Sequence, residues 1–248
     1  MRLSERSWRS YIDRLRTIND RAADAITAWM RKNPAASTEE LIEYAYAIAT
    51  RYGEAAASLA CEMYDRTAAA QGALVPPAEP AATATYGETA RAVRGTAKVS
   101  EIEIPQEVGR LVKLAGVDTT MQNAIRDGAE WAWIPHGDTC AFCITLASNG
   151  WQEASKKVMR GGHAEHIHAN CDCTFAVRFD GKSTVAGYRP EEYLAMYENA
   201  DGRSSKQKIN AMRRAFYAEN AEEINAQKRS AYAKRRERES SAAEEIEV

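Results

Sequence analysis

Two consecutive stretches of the chain carry apolar residues at helical spacing, and nothing else in the sequence constrains the fold as strongly. Trp8, Ile12, Leu15, Ile18, Ala22, Ile26 and Trp29 recur every three or four residues, which paints one apolar face on an α-helix. Arg9, Asp13, Arg14, Arg16 and Asp20 fill the opposite side. Asn33-Pro34 stops this helix, because a proline disfavours helical backbone in the residue before it. Ser37 and Glu40 then have the spacing of a capping box, in which each side chain accepts the other residue's backbone N–H. The second helix runs from there toward Gln71-Gly72. Two long helices joined by a short turn predict a long antiparallel hairpin over residues 1–72. Core packing between the two stripes is the plain use of them; docking on a partner's helices is the sharper one.

Composition supports a helical reading. Alanine accounts for 46 of the 248 residues, and alanine is the strongest helix former. The 33 Lys+Arg against 35 Asp+Glu leave a net charge of −2, which excludes a globally basic nucleic-acid coat and an acidic disordered tail protein. No run approaches the roughly 18 apolar residues of a membrane span, and MRLSERSWRS lacks the apolar region of a signal peptide. Synthesis in a reducing cytoplasm is therefore expected, where disulfides are rare. No P-loop and no G-x-G-x-x-G is present.

Residues 73–104 read as a Pro/Ala-rich linker, with Pro76, Pro77 and Pro80 among Ala and Thr and a weak helix near Glu88–Arg94. Residues 105–200 form the next unit. Pro105 opens a helix there at the position where its missing N–H costs nothing, and Asp118 has the character of a cap for another that ends near Asp127-Gly128. Trp131–Ile134 and Thr174–Phe179 read as strands, and Pro190–Asn199 as a helix. Residues 201–248 are a basic helix and an acidic tail. Arg203–Arg238 holds eleven Lys+Arg against four Glu, a local +7 inside a neutral chain. Lys206, Lys208, Arg213, Arg214, Lys228, Arg229, Lys234, Arg235 and Arg236 are its candidate nucleic-acid contacts; a solvated helix face is the alternative.

Cysteine and histidine are unevenly placed. Four of the five cysteines and all four histidines lie between His136 and Cys173. Cys140 and Cys143 form a C-x-x-C pair, whose spacing lets two thiolates from one turn reach a single ion. His168-x-x-Cys171-x-Cys173 supplies the second half. Thiolate and imidazole favour zinc over magnesium or calcium. The expectation is a closed structural Zn2+ site held by three cysteines and a histidine or by four cysteines, with one of Cys140, Cys143, His168, Cys171 and Cys173 in surplus. The fold class is then mainly α, with a small zinc-stabilised α+β module. Cys61 is expected to be a buried helical thiol, and His136, His163 and His166 to be bystanders. His163-Ala164-Glu165 matches the H-x-E of zinc deaminases, but that chemistry needs a P-C-x-x-C downstream, and here the C-x-x-C lies upstream. An HNH-like nuclease and a small zinc-dependent nucleic-acid-binding module are the alternatives of a different class.

Taken together, Trp133-x-Pro135-x-x-Asp138-Thr139-Cys140-x-x-Cys143, Gly150-Trp151 behind it, and His168-x-Asn170-Cys171-x-Cys173 resemble the Mu-F-type head morphogenesis proteins of tailed bacteriophages, in the variant with an added C-x-x-C. The resemblance covers roughly 108–179. Asp172 stands where that family usually has a basic residue. The resemblance implies a minor capsid protein and no enzyme. It implies association with the portal or other head proteins, a place inside the capsid of the virion after synthesis in the host cytoplasm, contact with packaged DNA during its ejection, and no small-molecule substrate or membrane. It also makes Cys140, Cys143, His168, Cys171 and Cys173 the structural centre.

Overall fold

The computed structural model describes residues 5–136, 139–155 and 173–222, together with 225, 226 and 229. Helix α1 spans Glu5–Lys32 and α2 spans Thr38–Gln71. As the periodicity predicts, Trp8, Ile12, Leu15, Ala22 and Ile26 are buried. Trp29 is half-buried and stacks on Tyr44 across the hairpin, with ring centroids 5.1 Å apart. Asn33 ends α1 by donating from its side chain to the Trp29 carbonyl at 2.8 Å. The expected capping box opens α2: the Glu40 N–H donates to Ser37 Oγ, and the Ser37 N–H donates to Glu40 Oε2 at 2.8 Å. Because Trp8 faces the core, it is withdrawn from any docking surface.

Helix α3 covers Tyr86–Ala97, longer than the weak helix expected there. Its start is fixed by a second capping box, Thr85 with Glu88. A 3-10 turn at Glu101–Glu103 leads into α4, Ile104–Asp127. Here the structure corrects the sequence reading. Pro105 does lie in the first turn, but Asp118 caps nothing; it lies in the middle of one continuous helix. A capping residue acts only where the chain already breaks, and Leu114 to Val117 give it no reason to break. Gly116 serves another purpose. A Cβ there would stand 3.3 Å from the Ala56 carbonyl oxygen, so the missing side chain is what lets α4 lie directly on α2.

The proline-rich stretch before α3 is a fixed strap. Proline removes donors, and the remaining groups are bound one by one by side chains of α2 and α4. Ala78 N–H donates to Asp65 Oδ1 at 2.8 Å, Glu79 N–H to Asn123 Oδ1 at 2.9 Å, and Ala81 N–H to Thr119 Oγ1 at 2.9 Å. In the other direction Gln122 and Asn123 donate to the Glu79 carbonyl, and Arg126 donates to the carbonyls of Pro76 and Pro77. Arg126 also clasps Asp127, whose second oxygen accepts from Tyr64 Oη at 2.8 Å. The Asp127 side chain is only 3% exposed.

After Gly128, whose positive φ closes α4, the chain forms a small antiparallel sheet in the order β2-β1-β3. Its strands are β1, Glu130–Ile134; β2, Gln152–Glu153; and β3, Thr174–Arg178. The short helix α5, Ala141–Ala147, lies between β1 and β2. Helices α6, Pro190–Asn199, and α7, Ser205–Glu219, follow β3. Trp131 and Trp133 project from one face of β1, and both meet the edge of Phe175, at 4.7 and 4.8 Å between centroids. On the cross-strand pair Glu130–Arg178, the guanidinium donates to both carboxylate oxygens, at 2.7 and 3.0 Å, and lies over the Trp151 ring.

The helices and the sheet share one apolar cluster that contains Trp8, Ile26, Tyr64, Val112, Trp133 and Phe175. Tyr11 of α1 shows how closely they join. Burial pushes its phenol up to about 12, against hydrogen bonds to Thr120 of α4 and Thr174 of β3. Cys61 departs from expectation: it is half-buried and lines a groove with Tyr46, Pro80, Thr83 and Tyr86.

The Asp127 clasp yields a stability prediction. Hydrogen bonding to Arg126 holds the Asp127 carboxyl below its usual range, with Tyr64 acting in the same direction and burial opposing. A depressed folded value stabilises the fold above the unfolded pKa of about 3.9, and that contribution is lost as pH falls through the folded value. Asp127→Ala is therefore expected to cost about 1–3 kcal/mol at neutral pH, since it strands a buried phenol and frees the strap's arginine. Urea denaturation across pH should show the deficit shrinking below about pH 4; a deficit independent of pH would refute this account.

Candidate metal centre

The register of β1 and β3 determines which cysteines share a neighbourhood. Ile134, the last residue of β1, pairs with Thr174, the first of β3. Cys173 immediately precedes Thr174, so it lies at the end of the sheet where β1 leaves it. From Ile134 the chain passes through Pro135 and His136 and reaches Cys140 six residues on. Cys140 is the N-cap of α5, and Cys143 lies in that helix's first turn. The sheet thus brings the C-x-x-C pair and Cys173, 30 residues apart from Cys143 in sequence, to one end of the module.

Burial of these thiols is deep. Cys143 and Cys173 are each 1% exposed within the apolar cluster, and Cys140 is partly buried against it. Two contacts fix the surroundings. Tyr188 Oη donates to the Ala147 carbonyl at 2.8 Å and pins the end of α5. Tyr193 of α6 stacks on Tyr188 at 6.3 Å, and its phenol is raised by burial and, next, by the nearby Cys173. His136 lines a cavity of about 130 Å3 at the same end of the sheet, with Trp8, Pro135 and Gly187 among its walls.

The donor chemistry fits a soft cation. Buried thiols that lose their protons need a compensating positive charge, and zinc supplies one to a thiolate set. Among the described residues alone, no group of three or more His, Cys, Asp or Glu side chains is arranged to hold an ion. His168 and Cys171, the other expected ligands, lie outside the described residues, as do His163 and His166.

The expected nucleic-acid contacts divide in the same way. Lys206, Arg213 and Arg214 are exposed on α7, and Arg229 is exposed beyond it. Lys208 is engaged within the fold: its ammonium donates to the carbonyls of Tyr197 and Glu198 at 3.0 and 2.8 Å and lies over the Tyr197 ring. It closes the C-terminal end of α6. Lys228, Lys234, Arg235 and Arg236 lie outside the described residues.

Sequence reasoning passed over Tyr188 and Tyr193, which wall the cysteine neighbourhood. No local signal marks them, because they meet only where α6 folds back on the module. It also missed β2, which has only two residues and is held by Glu130↔Glu153 and Trp131↔Gln152 pairing.

No described helix is long and apolar enough to cross a membrane. Comparison with curated proteins finds no match, and comparison with solved structures finds none. A family model described as VG15 protein matches residues 2–200, and so takes in the helical hairpin, the strap, the sheet and α6. The chain belongs to the VG15 protein family and is a phage gene product.

Proposed function

We propose that this protein is a structural minor head protein, held inside the phage capsid against the portal or another head protein, with its small sheet module fixed by a zinc ion. The observation that carries the reading is the placement of Cys140, Cys143 and Cys173 at one end of the β1–β3 pair in a chain of a phage family. The Mu-F-type resemblance of the cysteine–histidine region supports the head assignment.

In this reading Cys140, Cys143 and Cys173 hold the ion with His168 or Cys171 as the further ligand. The zinc supplies a cross-link between the start of α5 and the start of β3. Around it the chain's own residues do the positioning. Tyr188 fixes the far end of α5 through the Ala147 carbonyl, and Arg178 ties β3 to β1 through Glu130. A sheet of five-, two- and five-residue strands buries little area of its own, so a metal clamp contributes directly to its folding. The exposed basic residues Lys206, Arg213, Arg214 and Arg229 then face packaged DNA as sequence-independent phosphate contacts. No catalytic step is assigned.

Three outcomes test the parts separately. Mass spectrometry of purified particles of the parent phage should find this chain, shielded from external protease until the capsid is opened; its absence from particles sinks the head role. Native mass spectrometry should show one zinc ion per chain, lost in Cys143→Ser, and a chelator should lower the melting temperature. An unchanged melting curve argues against a structural ion. Affinity for duplex DNA should fall steeply with salt, as counterion release requires, and should disappear on truncation after Asp201. Affinity retained in the truncated chain refutes the α7 contact.

A further inference from the structure

The cavity of about 130 Å3 at the end of the sheet is formed by three separate parts of the chain: the start of α1, the end of β1 and the segment that leads into α6. Trp8, Ile134 and Tyr188 are its buried walls, at 7%, 5% and 6% exposure. Arg9 and Gly187 are exposed at its open side, with His136 and Tyr193 half-buried beside them. Gly187 has a φ of 81°, and a Cβ there would meet nothing within 4 Å, so no side chain narrows that side. Trp8 offers no face to a flat partner, but it does wall this recess.

Size and chemistry restrict what the recess can take. Pockets for drug-sized ligands run to roughly 300–1,000 Å3, whereas a dry cavity of about 150 Å3 holds a single benzene ring. The recess therefore has the scale of one planar ring system. Tyr188 is fixed before any ligand arrives: its hydroxyl donates to the Ala147 carbonyl at 2.8 Å, Trp151 meets it edge-on at 6.2 Å, and Tyr193 stacks on it at 6.3 Å. An aromatic wall held in this way spares a ligand the cost of ordering it. The charge beside the recess is positive. Arg9 also lines a groove along α1 with Arg6, Asp13 and Arg14, three arginines against one carboxylate among the described residues. Arg14 is engaged by Glu62 at 2.9 Å; Arg6 and Arg9, three residues apart, share a face of the helix. An ammonium ligand is repelled there and an anion is attracted.

We propose that this recess is a site for an unpaired nucleobase that carries a phosphate, with the base among Trp8, Tyr188 and Tyr193 and the phosphate on Arg9 and Arg6. Every base has a π face, so aromatic side chains accept it whatever the sequence, while neighbouring cations hold the backbone. His136 stands at the rim, where a ring nitrogen can bond to an edge of the base. A base paired in a duplex cannot enter a recess of this size without leaving its stack. The site therefore selects a free nucleotide or a single strand. It goes beyond the head assignment and uses neither α7 nor the duplex contacts placed there.

Fluorescence anisotropy of a terminally phosphorylated oligothymidylate should report binding by the full chain, and the binding should persist in Arg213→Glu/Arg214→Glu. Arg9→Glu and Tyr193→Ala should each weaken it at least about tenfold, the scale of one lost base contact. Arg9 is exposed, so Arg9→Glu should keep the wild-type melting temperature. A strand of the same length without bases tests the recess in the unaltered chain; it should also bind at least about tenfold more weakly. Photocrosslinking of an iodouracil-substituted strand should mark Trp8, Tyr188 or Tyr193. Thymidine monophosphate as competitor separates the two sources of ligand: displacement at the strand's own concentration identifies a free nucleotide, and no displacement identifies a single strand, both in agreement with the site. A baseless strand that binds as well as the oligothymidylate overturns the proposal, as do indifference to Arg9→Glu and cross-links confined to other parts of the chain. No strand binding, with uptake of an acidic aromatic peptide in its place, overturns it in favour of a protein partner.

Discussion

The close approach of α4 to α2 is the constraint on which the other elements lean. Gly116 lies against the Ala56 carbonyl, and a Cβ on Gly53 would meet Thr83 Cγ2 at 2.9 Å and Ala115 Cβ at 3.5 Å. Small residues on both helices bring the two backbones together and leave little room for large side chains at the seam. The apolar contact then comes from the flanks: α1 through Ile12, Leu15 and Ile26, and the sheet through Trp133 and Phe175. Because α4 touches α1, α2, α3 and β3, it relays the position of the hairpin to the sheet. The Tyr11 phenol, buried beside Thr120 of α4 and Thr174 of β3, is a local expression of that relay.

The cysteine neighbourhood inherits its precision from this scaffold. Cys173 is located by its place next to Thr174, Thr174 by its pairing with Ile134, and β1 by its packing on the cluster that α4 organises. The edge-on contacts of Phe175 with Trp131 and Trp133 add geometric preference to burial. Cys140, Cys143 and Cys173 are thus positioned by the sheet and a short helix at the same time.

Much of the hairpin was legible because its signals are local. The stripe from Trp8 to Trp29, the Asn33-Pro34 stop and the Ser37–Glu40 box need only neighbouring residues to act. The same is true of Thr85–Glu88, a box with the same spacing that went unread because the segment's prolines and alanines suggested a linker. What was illegible depends on distant partners. Asp118 has cap chemistry, yet packing of α4 on α2 keeps the helix running through it. Lys208 belongs to a basic run, yet carbonyls of the preceding helix occupy it. In the candidate site, the C-x-x-C pair and the second cluster at His168–Cys173 were legible as two halves, but the strand pairing that sets Cys173 beside the end of β1 was not. The tyrosines that wall it were invisible, because their role arises from where α6 folds back.

The strap has a consequence for the order of events in folding. A strand in a sheet finds its partners in a repeating ladder and can add them stepwise. Ala78, Glu79 and Ala81 have no such ladder; their amides are met by Asp65 on one helix and by Asn123 and Thr119 on another. Those acceptors stand at the right separation only after α2 and α4 have docked. Ordering of the strap is thus conditional on two helices being in place together, and it answers to both inputs rather than to either one. Since α3 is tethered directly to its end, that helix acquires a fixed address at the same moment, and the extended segment works as a latch that closes over a completed core.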